Sequence, residues 1–95
     1  MPEITPLSEE VTIVNIRGLH ARASAKFVNA VAELPEGIVV TVTKDGTDAG
    51  GGSILGLMML GAAKGDSITI SVRGEGADAA LGTLSGLVKD GFGEG

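Results

Sequence analysis

His20 is the single histidine of the sequence, and it stands in Gly18-Leu19-His20-Ala21-Arg22, between a strand-like run and a helix-like run. Imidazole is a nitrogen nucleophile, and because histidine titrates near pH ~6.5 its neutral form is available at physiological pH. The start of a helix offers N–H groups with no intrahelical acceptor, at the positive end of the helix dipole, and so suits an anion. The backbone of Ala21, Arg22 and Ala23 falls in that first turn, and the Arg22 guanidinium adds charge-assisted hydrogen bonding. These residues describe a place to hold a phosphate-like group beside a nucleophilic nitrogen.

Other chemistries fit less well. One histidine and no cysteine would leave a metal to carboxylates, so neither metal nor cofactor is expected. A hydrolase would need a nucleophile at a Gly-x-Ser-x-Gly elbow, which does not occur. Gly50-Gly51-Gly52-Ser53 is glycine-rich but lacks the lysine-containing pattern of a phosphate-binding loop. Nucleic acid is disfavoured by a formal net charge of −5 and by an aromatic content limited to Phe27 and Phe92. No run approaches the ~20 apolar residues of a membrane span. The first ten residues are acidic with two prolines, unlike a signal peptide. With no disulfides available, a cytoplasmic location is the expectation.

The elements that would position His20 follow from patterning. Ninety-five residues suit one domain, and 43% hydrophobic residues make it globular. Residues 1–10 read as an extended lead-in, 11–92 as the domain and 93–95 as a C-terminal tail. Val11 to Ile16 is β-branched and reads as the first strand. Ala23, Phe27, Val31 and Leu34 form the apolar stripe of a helix that Pro35 and Gly37 end. Ile38 to Lys44 alternates as a strand, and Lys44-Asp45-Gly46-Thr47 signals a hairpin into a short strand over 47–50. Ser53 caps a short helix running to Leu60. Ser67 to Arg73 alternates as the last strand, and Ala77, Ala80, Leu81, Leu84, Leu87 and Val88 mark an amphipathic final helix. The order β-α-β-β-α-β-α predicts an α+β, open-faced β-sandwich: four antiparallel strands with three helices on one face.

Two separated motifs resemble one family. Gly18-Leu19-His20-Ala21-Arg22, followed by Ser53-Ile54-Leu55-Gly56-Leu57-Met58-Met59-Leu60-Gly61 and Lys64-Gly65-Asp66, are similar to HPr, the histidine-containing phosphocarrier of the bacterial phosphotransferase system. The resemblance spans Val11 to Phe92 and is nearest to the proteobacterial HPr and nitrogen-branch NPr proteins. It implies a phosphoryl carrier rather than an enzyme, serving sugar transport or nitrogen and metabolic regulation. It places the phosphoryl-accepting Nδ1 on His20, the stabilising arginine on Arg22 and a regulatory serine on Ser53. The implied partners are enzyme I as donor, EIIA-type domains as acceptors and HPr kinase/phosphorylase acting on Ser53. A monomer is expected. Ala23 stands where the family usually has proline, which puts the rigidity of the loop in question, not the chemistry.

A carrier that binds several partners briefly needs an adaptable apolar face, to which methionine is suited. Ile54, Leu55, Met58 and Met59 crowd a helix too short to bury them all, and they are the expected docking residues. Ile54, Leu55 and Met58 are expected outside, with Leu57 and Leu60 inside. Ser53 has a sufficient structural reason to be present as an N-cap, worth ~1 kcal/mol. The alternative to a carrier is a regulatory adaptor that binds through the 53–60 helix with His20 incidental. A small-molecule-binding module is a weaker option, since one open sheet with few aromatics offers no obvious pocket.

Overall fold

The computed structural model describes residues 6–94. Strand β1 (Leu7–Thr12) is followed by helix α1 (Ala21–Ala32), strands β2 (Val39–Lys44) and β3 (Thr47–Gly50), helix α2 (Ile54–Met59), strand β4 (Ser67–Arg73) and helix α3 (Ala77–Lys89). A 3-10 turn, Gly91–Gly93, comes after α3. The four strands form one antiparallel sheet in the order β1-β4-β2-β3.

Alternation along the strands separates the faces. Val11, Val40, Val42, Ile68, Ile70 and Val72 point to the covered side and are buried with Phe27, Leu57, Leu84, Val88 and Phe92. Register puts Ser8 opposite Ser71 and Ser71 opposite Thr41, and puts Glu10 opposite Thr69 and Thr69 opposite Thr43. The uncovered side is thus a field of hydroxyl groups, whose β-branched threonines suit a strand without needing burial. Helix α3 packs on β1 and β4, α2 packs against β3, and α1 packs on both helices.

The turn between β2 and β3 is a tight one. Asp45 (φ 49°) and Gly46 (φ 81°) both adopt the left-handed region, as a two-residue type I′ connection requires.

One expectation is corrected. The first strand is Leu7–Thr12, not Val11 to Ile16, so residues 7–10 of the expected lead-in pair with β4. The inside–outside alternation persists through Val11, Ile13 and Asn15, all buried, while Thr12, Val14 and Ile16 are exposed. Past Thr12, however, the partner of Ile13 is a turn: Ile13 N–H donates to the Asp66 carbonyl at 2.8 Å and Gly65 N–H donates to the Ile13 carbonyl at 2.8 Å. The chain there leaves the sheet and enters the loop that delivers His20.

Candidate functional site

His20 is the N-cap of α1, with extended backbone (φ −75°, ψ −179°). Its Nδ1 accepts the Arg22 backbone N–H at 3.2 Å. Its carbonyl accepts from Ser24 N–H at 2.9 Å, the first bond of the helix. The side chain takes the place that Ser, Asp or Asn usually takes at a cap. The imidazole is therefore also the piece that starts the helix. Ala23 and Ser24 are fully buried behind it, and the Ser24 hydroxyl donates to the Leu19 carbonyl.

The loop before His20 is fixed by a close backbone approach. Gly18 has φ +63°, and a Cβ there would lie 2.3 Å from the Ala62 carbonyl oxygen. Leu19 N–H donates to that same oxygen at 2.9 Å. Asn15, buried, closes the turn by donating from Nδ2 to the Gly18 carbonyl at 2.8 Å.

Asn15 also donates to Glu94 Oε1 at 3.1 Å, and Glu94 Oε2 lies 2.7 Å from His20 Nε2. Lys26, one turn into α1, donates to the Phe92 carbonyl at 2.6 Å. Phe92 is buried, although its backbone is left-handed (φ 58°), and it anchors the strap that carries Glu94 across the site. Desolvation works to raise the Glu94 carboxyl, but hydrogen bonds from Asn15 and His20 and the charge of Lys26 outweigh it and hold the group below its ordinary value.

Arg22 is exposed and lines an open depression of about 450 Å³ with Ile16, Arg17, Lys26, Gly93 and Glu94. Three cations thus surround one carboxylate beside the imidazole, on a chain whose net charge is negative. Such a setting suits an anion at the Arg22 guanidinium, close to the helix start where the Arg22 N–H donates to His20 Nδ1. Among the described residues no group of three or more His, Cys, Asp or Glu side chains is placed to hold a metal.

The second motif lies alongside. Ser53 caps α2, its Oγ accepting Gly56 N–H at 2.9 Å. Ile54, Leu55, Met58 and Met59 are all exposed, Leu55 at 68% and Met59 at 75%, while Leu57 and Leu60 are buried. Because α2 packs on α1, this apolar surface neighbours the helix that His20 starts.

Patterning misses Asn15, Arg17, Lys26 and Glu94. Asn15 reads as part of a strand and Glu94 as tail. The one available signal is Asn15 itself, a polar residue on the inward phase of an apolar alternation.

The described helices include none long and apolar enough to cross a membrane. A family model described as the "PTS HPr component phosphorylation site" matches residues 7–90. The chain is 47% identical over 62 residues to the phosphocarrier protein HPr of Neisseria meningitidis serogroup A, covering 65% of this chain and 67% of that protein. It is 36% identical to the HPr of Cupriavidus necator over 94% of this chain and 98% of that one. A crystal structure of HPr from Thermoanaerobacter tengcongensis superposes with a TM-score of 0.86 at 31% identity, covering 94% of this chain and 98% of that one.

Proposed function

The chain belongs to the HPr phosphocarrier family of the phosphotransferase system, and from that premise we propose that His20 accepts a phosphoryl group on Nδ1 from phosphorylated enzyme I and passes it to an EIIA-type domain. The observation that carries the reading is the capped geometry of His20. Its Nδ1 faces the first-turn amide of Arg22 at 3.2 Å, so a group bonded to that nitrogen arrives at the N-terminus of α1.

Transfer forms the Nδ1–phosphorus bond as the bond from phosphorus to the donor breaks. The phosphoryl oxygens meet the first-turn N–H groups and the Arg22 guanidinium, which stabilise charge already on the group and charge developing in flight. Onward transfer reverses these events and returns the electron pair to Nδ1. The exposed Ile54, Leu55, Met58 and Met59 give partners an apolar, pliable surface to seat on. Transient contacts of this kind bury less than ~1,200 Å².

Incubation with enzyme I and labelled phosphoenolpyruvate tests the assignment. The expected product is an acid-labile, base-stable phosphoprotein, and His20→Ala should take up no label while keeping its fold. Label on the mutant would refute it. Offering the labelled protein to sugar-branch and nitrogen-branch EIIA domains decides which branch it serves.

A second role rests on Ser53, which is exposed at the N-cap of the helix that carries the exposed apolar residues. Phosphorylation there by HPr kinase/phosphorylase would add about −1.5 to −2 charge to the docking face while leaving a helix N-terminus able to tolerate it.

A further inference from the structure

We propose that Met58 and Met59 form a modification site through which peroxide controls phosphoryl transfer. Oxidation of their thioethers to sulfoxides, reversed by methionine sulfoxide reductases, weakens partner docking and leaves the fold and His20 intact. The inference rests on the phosphocarrier reading and adds a means of regulating it.

The placement of sulfur in the chain carries the argument. Cysteine is absent and methionine occurs three times, so every oxidisable sulfur is a thioether. Met1 lies outside the described residues, and the other two stand side by side on α2. Met59 is 75% exposed and Met58 39%, so a dissolved oxidant reaches both side chains without any opening of the structure. Helix α2 is held instead by Leu57 and Leu60, which are buried, and by the Ser53 cap. Neither methionine belongs to that core. A sulfoxide formed inside a core disrupts packing, whereas here it adds a polar oxygen to surface that water already covers. Oxidation is thereby separated from stability, as a reversible control requires. What it changes is the character of the face formed with Ile54 and Leu55: a flexible apolar side chain becomes a polar one.

The step balances with hydrogen peroxide as oxidant. The sulfur lone pair attacks one peroxide oxygen as the O–O bond breaks. That oxygen stays on sulfur, and its proton passes to the departing hydroxide, which leaves as water. Sulfur is oxidised by two electrons and peroxide is reduced by the same two. The new S–O group is a hydrogen-bond acceptor with no donor of its own. Facing water it is satisfied. Beneath the apolar surface of a seated partner it loses that water and gains no donor, so docking is opposed. Met59, the more exposed of the pair, reacts first and Met58 follows. The imidazole keeps its cap geometry at the start of α1, so the loss falls on association and not on bond formation at Nδ1.

The test treats the full chain with hydrogen peroxide, removes the oxidant and locates each sulfoxide by peptide mass mapping. Rapid-quench transfer from phosphorylated enzyme I then gives the maximal rate and KM. The oxidised protein should show a KM raised roughly tenfold, about 1.4 kcal/mol, at unchanged maximal rate and unchanged thermal midpoint. Incubation with both methionine sulfoxide reductases, one for each sulfoxide epimer, should restore it. Met59→Gln places an uncharged polar group on the same face without oxidant and should raise KM in the same direction. The double variant Met58→Leu, Met59→Leu retains Met1 as its sole sulfur; whatever KM it starts from, peroxide should leave that value unchanged. An unchanged KM after both α2 methionines are oxidised overturns the inference. So does a thermal midpoint that falls with the loss, or an equal response to peroxide in the double leucine variant, which would place the damage elsewhere. Untreated protein that takes up no label refutes the carrier reading instead, so the two failures are distinguishable.

Discussion

Gly18→Ala isolates the contact that sets the entry of the chain into His20. Three effects act together. Alanine in the left-handed region costs about 1–2 kcal/mol, and Gly18 sits at φ +63°. The new Cβ would lie 2.3 Å from the Ala62 oxygen and 2.9 Å from Ala63 Cα, both backbone atoms with no flexible end to swing away. Relief must move the Ala62 carbonyl, which receives the Leu19 N–H, and losing that bond costs about 0.5–1.5 kcal/mol. Reduced freedom of the unfolded chain returns about 0.4–1 kcal/mol. With overpacking strain of order 1–3 kcal/mol included, the net destabilisation should be about 4 kcal/mol. That corresponds to a fall in Tm of roughly 16–32 °C for a domain of this size. Urea denaturation should show a lowered midpoint at unchanged slope. Gly46→Ala supplies the comparison. Gly46 is left-handed too, at φ +81°, but nothing lies within 4 Å of the place its new methyl group would take, so it should lose only about 1 kcal/mol of strain. Equal losses in the two variants, or less than about 1 kcal/mol for Gly18→Ala, would show that the approach of Ala62 does not fix this loop.

Three further outcomes are expected. Arg22→Ala should slow phosphoryl transfer more than it weakens enzyme I binding, because the guanidinium lines the depression beside His20 without a fixed structural partner to lose; titration alongside rapid-quench kinetics checks this, and equal loss in both would make Arg22 a docking residue. Ser53→Asp keeps an N-cap acceptor, so stability should change by under about 1 kcal/mol, while phosphorylation by enzyme I slows at low ionic strength and recovers with salt; a wild-type rate at every salt concentration would leave Ser53 as a cap alone. Glu94 is a carboxyl held below its ordinary value, so what it contributes is complete above the ordinary glutamate range near ~4.3 and lost as pH falls through the folded value. The Glu94 carboxyl ¹³C resonance should therefore show its own protonation step below that range; a protonation step above the ordinary glutamate value would contradict the sign.

Much of the site is legible in the sequence because its chemistry is local. His20, the first-turn amides and Arg22 lie close together along the chain, and the cap they form depends on backbone that neighbouring sequence specifies. The exposed and buried residues of α2 are legible for a similar reason: a six-residue helix presents too little buried face for Leu57, Leu60 and four more large apolar side chains. The first strand is harder. Leu7-Ser8-Glu9-Glu10 has no strand composition, and it pairs because β4 offers an edge and because Glu9 meets Lys89 across the covered face. Val11 to Ile16 has that composition, yet its second half bonds to the Gly65–Asp66 turn. Glu94 is illegible for a third reason. It meets His20 across 74 positions, in a hydrophilic segment with no periodicity, and the burial of Phe92 with the bonds from Lys26 and Asn15 brings it there.

The hydroxyl-covered side of the sheet has a practical consequence. The chain has no cysteine, so a thiol introduced there is a unique chemical handle. Ser67, exposed at the start of β4 and opposite Thr12 on the uncovered face, has no side-chain hydrogen bond among those described and lies on the side away from α1 and α2. A fluorophore or surface linker attached at that point leaves the imidazole, the cationic depression and the methionines unobstructed. Every tethered molecule then presents the same end to solution. Immobilised in one orientation, the protein can be met by donor and acceptor in turn, and the lifetime of each encounter read separately.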